Sequence, residues 1–461
     1  MKKVLLLVLL TASYSTFAQK KIIDHTTYDE WKSVSRTIVS HDGKYVSYEI
    51  NPHKGDGYLY IYNVESGKLD SIPRGKRAKF AGDGSFIAFN IHPGQDTLRT
   101  CELKKIKKKK WPKDSLGIYV LATDSLIKMK ELSSFKVDEE SGWISIYQKH
   151  NNLPSTGKKK RKRRRRRKGP QYESDGKLLT ILNPSTGDKK VYKNVTDYNV
   201  SEKGSWVAFT VHRREKSEKI DSVHIHTFNT KDQNEWCSKD QYNDVGSFSF
   251  DEQESRIVFL ASNDTSEVKN YSLELLELSS GAITLLADST QSFFPEGHGV
   301  SAFSDPWFTK DGSILYFGGK ELARKDPKDT LIESEKVHLD IWHHMDKELQ
   351  PMQLLQKKRD ERKTDLYAWH LNKNTAIKLS NDTLDVAPEF DLRGKYLFGS
   401  SNELYAHTYN WVIPYPEDHY RVSIETGEVE LIKSGVEFVG NLSPSGRYYT
   451  CLLYTSDAAD E

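Results

Sequence analysis

Histidines and acids crowd the stretch HLDIWHHMDKELQ, His338 to Gln350. Imidazole nitrogens and carboxylate oxygens are ligands for zinc and related ions, so His338, His343 and His344 with Asp340 and Asp346 raise the question of a metal centre. Their spacing matches no established ligand pattern, and the reading of this segment is structural or solvent-facing. In VHIHTF, His224 and His226 share one face of a strand, too few donors for a site without ligands from elsewhere. The paired acids Glu139 and Glu140 of DEES stand where related segments carry Asp-Gly, which makes them turn residues. GHGVS from Gly297 lacks the serine spacing of a nucleophile elbow. The chain has no G-x-S-x-G, H-E-x-x-H, P-loop or dinucleotide fingerprint. No catalytic residue, no metal site and no cofactor is expected.

Charge is distributed unevenly. The chain holds 68 Lys and Arg against 65 Asp and Glu, yet eleven cationic side chains run without interruption from Lys158 to Lys168. Without these and Lys2 and Lys3, the remaining chain is acidic. A nucleic-acid face would spread its cations over a folded surface and interleave aromatic rings for stacking. The run does neither, so nucleic acid is excluded as a partner. Eleven like charges with no apolar content imply a solvated, disordered loop, residues 154–176. Its one expected contact is a weak one with an anionic surface such as lipid headgroups. Three cysteines, Cys101, Cys237 and Cys451, form no C-x-x-C and no disulfide framework.

The elements that would position any of these residues come from a repeat. A turn entering a strand recurs eight times: SHDGKYVSY from Ser40, AGDGSFIAF from Ala81, EESGWISIY from Glu139, SEKGSWVAF from Ser201, DEQESRIVF from Asp251, TKDGSILYF from Thr309, DLRGKYLFG from Asp391 and SPSGRYY from Ser443. Between the copies lies a strand that ends in a polar turn, as in LYIYNVESGKL from Leu59 and LLTILNPSTGDK from Leu178. In the first repeat KYVSYEI places Val46, Tyr48 and Ile50 on one face, and YLYIYNV reads as a strand buried on both faces. Each repeat is a four-stranded antiparallel meander. Such units at intervals of about 40 to 60 residues describe an all-β fold, a β-propeller of seven to eight blades with the last incomplete. Three long insertions, the lysine-rich one from Lys104, the basic run and Gly319 to Thr364, all fall between the second and third strands of their blades.

MKKVLLLVLL followed by STFAQ has the charged, apolar and small-residue parts of a signal peptide, residues 1–18. The apolar run is too short to span a bilayer and no other approaches the length needed, so the expectation is an exported protein without a transmembrane anchor, periplasmic or extracellular. The propeller is then residues 19–450. The tail CLLYTSDAADE resembles translated adapter sequence, and residues 451–461 are expected to be non-native.

Four segments carry a resemblance. VTDYNVSEKGSWVAF from Val195, FTKDGSILYFGG from Phe308, the basic insertion before KLLTILNPSTG, and above all LDIWHHMDKELQPMQL from Leu339 resemble secreted bacterial peptidases of the prolyl oligopeptidase family. That resemblance implies an N-terminal propeller that limits access to a C-terminal α/β-hydrolase domain bearing a Ser, Asp and His triad. No residue here matches the triad, and Glu139 and Glu140 lack the aromatic context of the paired glutamates with which dipeptidyl peptidases hold a substrate amino terminus. The implied function is the non-catalytic, substrate-gating propeller of an exported serine peptidase, with peptides as partners through a hydrolase domain missing from this chain. A stand-alone exported propeller that binds a peptide, glycan or envelope protein is the alternative.

Overall fold

The computed structural model describes residues 27–437 apart from 139, 150–175, 215–220, 266–267, 323, 325–334, 338, 345, 390, 392–393 and 409–410, together with 443 and 447–450. The expected signal peptide, the basic run, Glu139, His338 and the expected non-native tail lie outside the described residues. The fold is all-β and of the β-propeller class, a succession of antiparallel meanders. It divides into two compact units, Met1–Ser133 and Ser134–Glu461.

The first unit holds two four-stranded sheets, each ordered as in the sequence. One runs through Lys32–Val39, Tyr45–Pro52, Tyr58–Asn63 and Leu69–Pro73, the other through Gly75–Phe80, Phe86–Ile91, Ser115–Val120 and Ser125–Met129. Leu59, Ile61, Ile87, Phe89 and Tyr119 form a core shared by both. In the second unit the strand Lys189–Val200 serves two repeats. Its first half pairs with Lys177–Leu182 to close the third repeat, and its second half pairs with Trp206–Arg214 to open the fourth, giving one seven-stranded sheet. The fifth repeat spans Asp244–Phe250 to Ile283–Ala287, the sixth His298–Val300 to Thr375–Lys378, and the seventh Asp385–Ala387 to Val429–Val436. Val258, Leu260, Leu315, Phe317, Tyr367 and Trp369 form a core to which the fifth and sixth repeats both contribute. Neighbours therefore bury each other's apolar faces, as stacked repeats must.

The recurring turn explains why these segments form hairpins. In six copies the first residue's N–H donates to the carbonyl of the sixth: Ser40 to Tyr45, Ala81 to Phe86, Asp138 to Trp143 (one residue earlier than the Glu139 start read from the sequence), Ser201 to Trp206, Asp251 to Arg256 and Thr309 to Ile314, at 2.9 to 3.2 Å. Where the first side chain is Ser, Thr or Asp, its oxygen usually accepts the sixth residue's N–H in return. In all of these but the turn at Asp138 the fourth residue lies in the left-handed region, Gly43 at φ +71° and Gly204 at φ +76° for example, a conformation that costs glycine little. The fifth copy puts Glu254 there, at φ +55°. Ser443 and Tyr448 make the same pair of bonds, so the eighth copy begins as the others do.

Two details of the first repeat differ from the sequence reading. Val46, Tyr48 and Ile50 do share a face, but the more buried residues are Ser47 and Glu49 on the other side. Glu49 is only 2% exposed because its carboxylate accepts the N–H of Arg77 in the second repeat at 2.7 Å and the Asn51 amide at 3.2 Å. The strand Tyr58–Asn63 is buried on one face only. Leu59 and Ile61 point inward, while Tyr58 and Tyr62 are exposed. Tyrosine suits such a face, since its ring packs sideways while the hydroxyl reaches water.

Candidate functional site

The insertion of the sixth repeat folds onto the seventh. It contains the helix Gln350–Asp360, which follows Leu349 and has Pro351 in its first turn, where a missing N–H costs nothing. Lys357, Lys358 and Arg359 occupy the last turn, where cations suit the exposed carbonyls. Four tethers fix the insertion. Gln350 Nε2 donates to Asp340 at 2.9 Å, and Lys320 Nζ donates to the carbonyls of Glu361 and Lys363. Lys363 pairs with Asp385 at 3.0 Å and Lys347 with Glu403, both acids of the seventh repeat.

These tethers leave a cavity of about 620 Å³ between the insertion and the two repeats. Lys320, Arg359, Lys363, Lys378 and His298 line it beside Glu321, Glu348, Asp360, Asp365, Asp382 and Asp385, with Gln356, Asn381 and Asn402 between the charges. Lys378 pairs with Asp365 at 2.6 Å. A small groove lined by Leu349, Met352, Ala406 and Tyr415 lies beside it and shares Glu348, Gln356 and Asn402. The volume is that of a small-ligand site, and charges of both signs interleaved with amides suit a ligand that is itself dipolar and amide-rich.

The residues weighed for metal chemistry do not assemble. His343 and His344 are exposed with rings 4.6 Å apart, the His343 N–H donates to Asp346, and Asp340 is taken by Gln350. Among the described residues no group of three His, Cys, Asp or Glu side chains is placed to hold a metal ion. His224 is buried and turned to Ser222 and the Ser238 carbonyl, whereas His226 sits across from Cys237. Glu140 is exposed in its turn. Ser301, the last residue of GHGVS, is buried and its N–H is bonded to the Gly318 carbonyl.

The structure adds groups that the sequence did not single out. Asp197, on the first strand of the fourth repeat, accepts the N–H of Ser247 on the first strand of the fifth at 3.1 Å. Ser247 Oγ donates to Asp305 of the sixth at 2.5 Å. Burial holds the Asp197 carboxyl above its ordinary range. These three residues each stand four positions before the turn residue of their repeat, at Ser201, Asp251 and Thr309. That periodic polar position is a signal readable from aligned repeats.

No protein-family model and no curated protein matches the chain. Solved structures to which it is similar include a prolyl endopeptidase (10% identity, TM-score 0.36, 87% of this chain and 50% of that one). The acylaminoacyl peptidase of Pyrococcus horikoshii is another (11%, 0.36, 89% and 54%). A third is the β-propeller domain of the Trilobed protease from Pyrococcus furiosus (12%, 0.33, 88% and 99%). The chain spans about half the length of the two peptidases. The assignment to the propeller class rests on the hydrogen-bonded meanders themselves.

Proposed function

We propose that this chain is the non-catalytic propeller portion of an exported serine peptidase acting on peptides, its role being to limit which substrates reach the catalytic domain. The observation that carries the reading is the insertion of the sixth repeat. The segment LDIWHHMDKELQPMQL, on which the resemblance to prolyl oligopeptidase-family enzymes mainly rests, leads into the helix beside the 620 Å³ cavity of mixed charges and amides and contributes Glu348 to its lining. A peptide, with amides along its length and opposite charges at its ends, is the ligand such a lining complements. In the parent enzyme a serine activated by histidine would attack the peptide carbonyl and form an acyl-enzyme.

A second reading, a stand-alone exported propeller that binds a peptide, glycan or envelope protein, is favoured by the exposed Val337, Leu339, Ile341 and Trp342 on the same insertion. Apolar side chains exposed close together along one short segment offer a partner surface to cover. One measurement separates the two. The source locus, read through codon 450 and onward for about 300 residues, the scale of a further large domain, is expected to continue in frame into G-x-S-x-G followed by Asp and His. A stop codon directly after the eighth repeat would overturn the peptidase reading.

A further inference from the structure

His226 stands mid-strand in Asp221–Asn229, and the register places it between Phe209 on one neighbouring strand and Cys237 on the other. Directly opposed residues of an antiparallel pair project from one face with Cβ atoms about 5 Å apart, close enough for side chains to meet. They do: Cys237 Sγ is 3.5 Å from His226 Nε2. Phe209 stacks on the imidazole with ring centres 5.3 Å apart and planes within 12°, and the Tyr192 ring packs against Phe209 in turn. The imidazole is thereby held beside the sulfur, which also lies 3.5 Å from the Ser238 carbonyl oxygen as a second acceptor for its proton.

The surroundings favour charge separation. Cys237 ends the edge strand Glu235–Cys237, exposed to solvent and carrying a thiol. Glu235 is ion-paired to Lys190 at 3.0 Å. Partial burial works to raise the Glu235 carboxyl, but the ion pair with Lys190 and the nearby Tyr192 and His226 outweigh it and hold it below its ordinary range. An ionised carboxylate near an imidazole stabilises the imidazolium, the state His226 reaches on accepting a proton. Trp236, between these residues in the strand, lies against Gly281 of the fifth repeat, which pins the edge in place.

We propose that Cys237 and His226 form a nucleophilic thiol–imidazole pair that makes Cys237 a site of reversible thiolation by small-molecule disulfides. The S–H proton passes to His226 Nε2, and the thiolate attacks one sulfur of R–S–S–R. The Cys237–S–S–R bond forms as the R–S–S–R bond breaks, and the departing RS⁻ takes the proton from the imidazolium. The Cys237 sulfur is oxidised and the leaving sulfur reduced, so the disulfide itself is the only oxidant. A base beside a thiol raises the thiolate fraction at neutral pH, and the exposed edge gives the disulfide access. This site is independent of the cavity and of the peptidase reading.

The test uses the full chain and oxidised glutathione, with the modified cysteine located by peptide mass mapping. Reaction is expected at Cys237, with buried Cys101 spared, and with a rate that levels off well below pH 8. His226→Phe keeps a ring on Phe209 but has no nitrogen. Its rate at pH 6 is expected to fall about three- to tenfold, with a profile that follows an ordinary thiol near 8.5. Thermal unfolding of the variant verifies its fold, and the wild-type profile stands as evidence by itself. A wild-type Cys237 that titrates like a free cysteine, or a folded His226→Phe variant with an unchanged profile, would overturn the proposal.

Discussion

Asp138 shows what a single buried carboxyl does to a turn. It is 2% exposed, with Oδ2 accepting the Ser141 hydroxyl at 2.7 Å and Oδ1 buried without a hydrogen-bond partner among the described residues. Burial pushes the group up, the Ser141 bond pulls it back, and the charge of Glu254 pushes again, leaving it at about 8. Gly204 of the fourth repeat lies directly against it, and Arg256 of the fifth is committed to Asp251 and the Gly312 carbonyl, so neither supplies a counter-charge. The folded chain thus holds a proton that the unfolded chain releases near its ordinary value of 3.8. Stability contributed by this group is fully present below about pH 4 and falls as pH rises toward 8, by about 1.4 kcal/mol per unit at the steepest. His419, lowered by burial, tilts stability the other way near its own titration, so the difference between two proteins is the clean readout. Urea unfolding at pH 5 and pH 8 should show wild type losing more than Asp138→Asn between the two. Equal losses would mean that Asp138 is ionised in the fold.

Turns and strands repeat this lesson at a larger scale, because the same turn recurs with different neighbours. Gly43 and Gly204 occupy the same left-handed position, yet a Cβ at Gly43 would meet nothing within 4 Å, while one at Gly204 would come 2.3 Å from the Asp138 Cβ. Gly43→Ala should therefore cost only the conformational penalty, about 1 to 2 kcal/mol, and Gly204→Ala more, because packed atoms must also move. Thermal unfolding of the two variants checks the order; equal costs would show that the fourth turn gives way freely. The Asp-Gly and Ser-Gly turns were legible in the sequence because φ > 0 restricts residue choice, and with them the strand count, the meander and the propeller class. Which face is buried was less legible: Glu49 looks like a surface residue until Arg77 of the next repeat supplies its partner. Cys237 and His226 stand eleven residues apart and meet only through strand register, which composition does not disclose. The cavity depends on Lys363, Asp385, Lys347 and Glu403 closing an insertion onto a neighbouring repeat, contacts that no local pattern in the sequence announces.

For the whole molecule the decisive quantity is where the charge sits. The formal net charge of +3 contains the eleven cations of Lys158–Lys168, so deleting that run would bring it to −8. An otherwise acidic protein is repelled by anionic lipid overall, and the run, with the exposed lysines from Lys104 to Lys110 as a lesser source, supplies the electrostatic attraction, at about 1 kcal/mol per cation near the surface. Such attraction reaches only a Debye length, about 30 Å at 0.01 M salt and about 3 Å at 1 M. The exposed Trp342, Ile341 and Leu339 offer a different mode of adhesion, apolar and largely indifferent to salt. Partition onto anionic vesicles is therefore expected at 0.01 M salt, and to vanish both at 1 M salt and on deletion of Arg161 to Lys168. Partition that survives the deletion would rule out the basic run as the contact, and if it also survives high salt, the apolar insertion of the sixth repeat becomes the surface that binds.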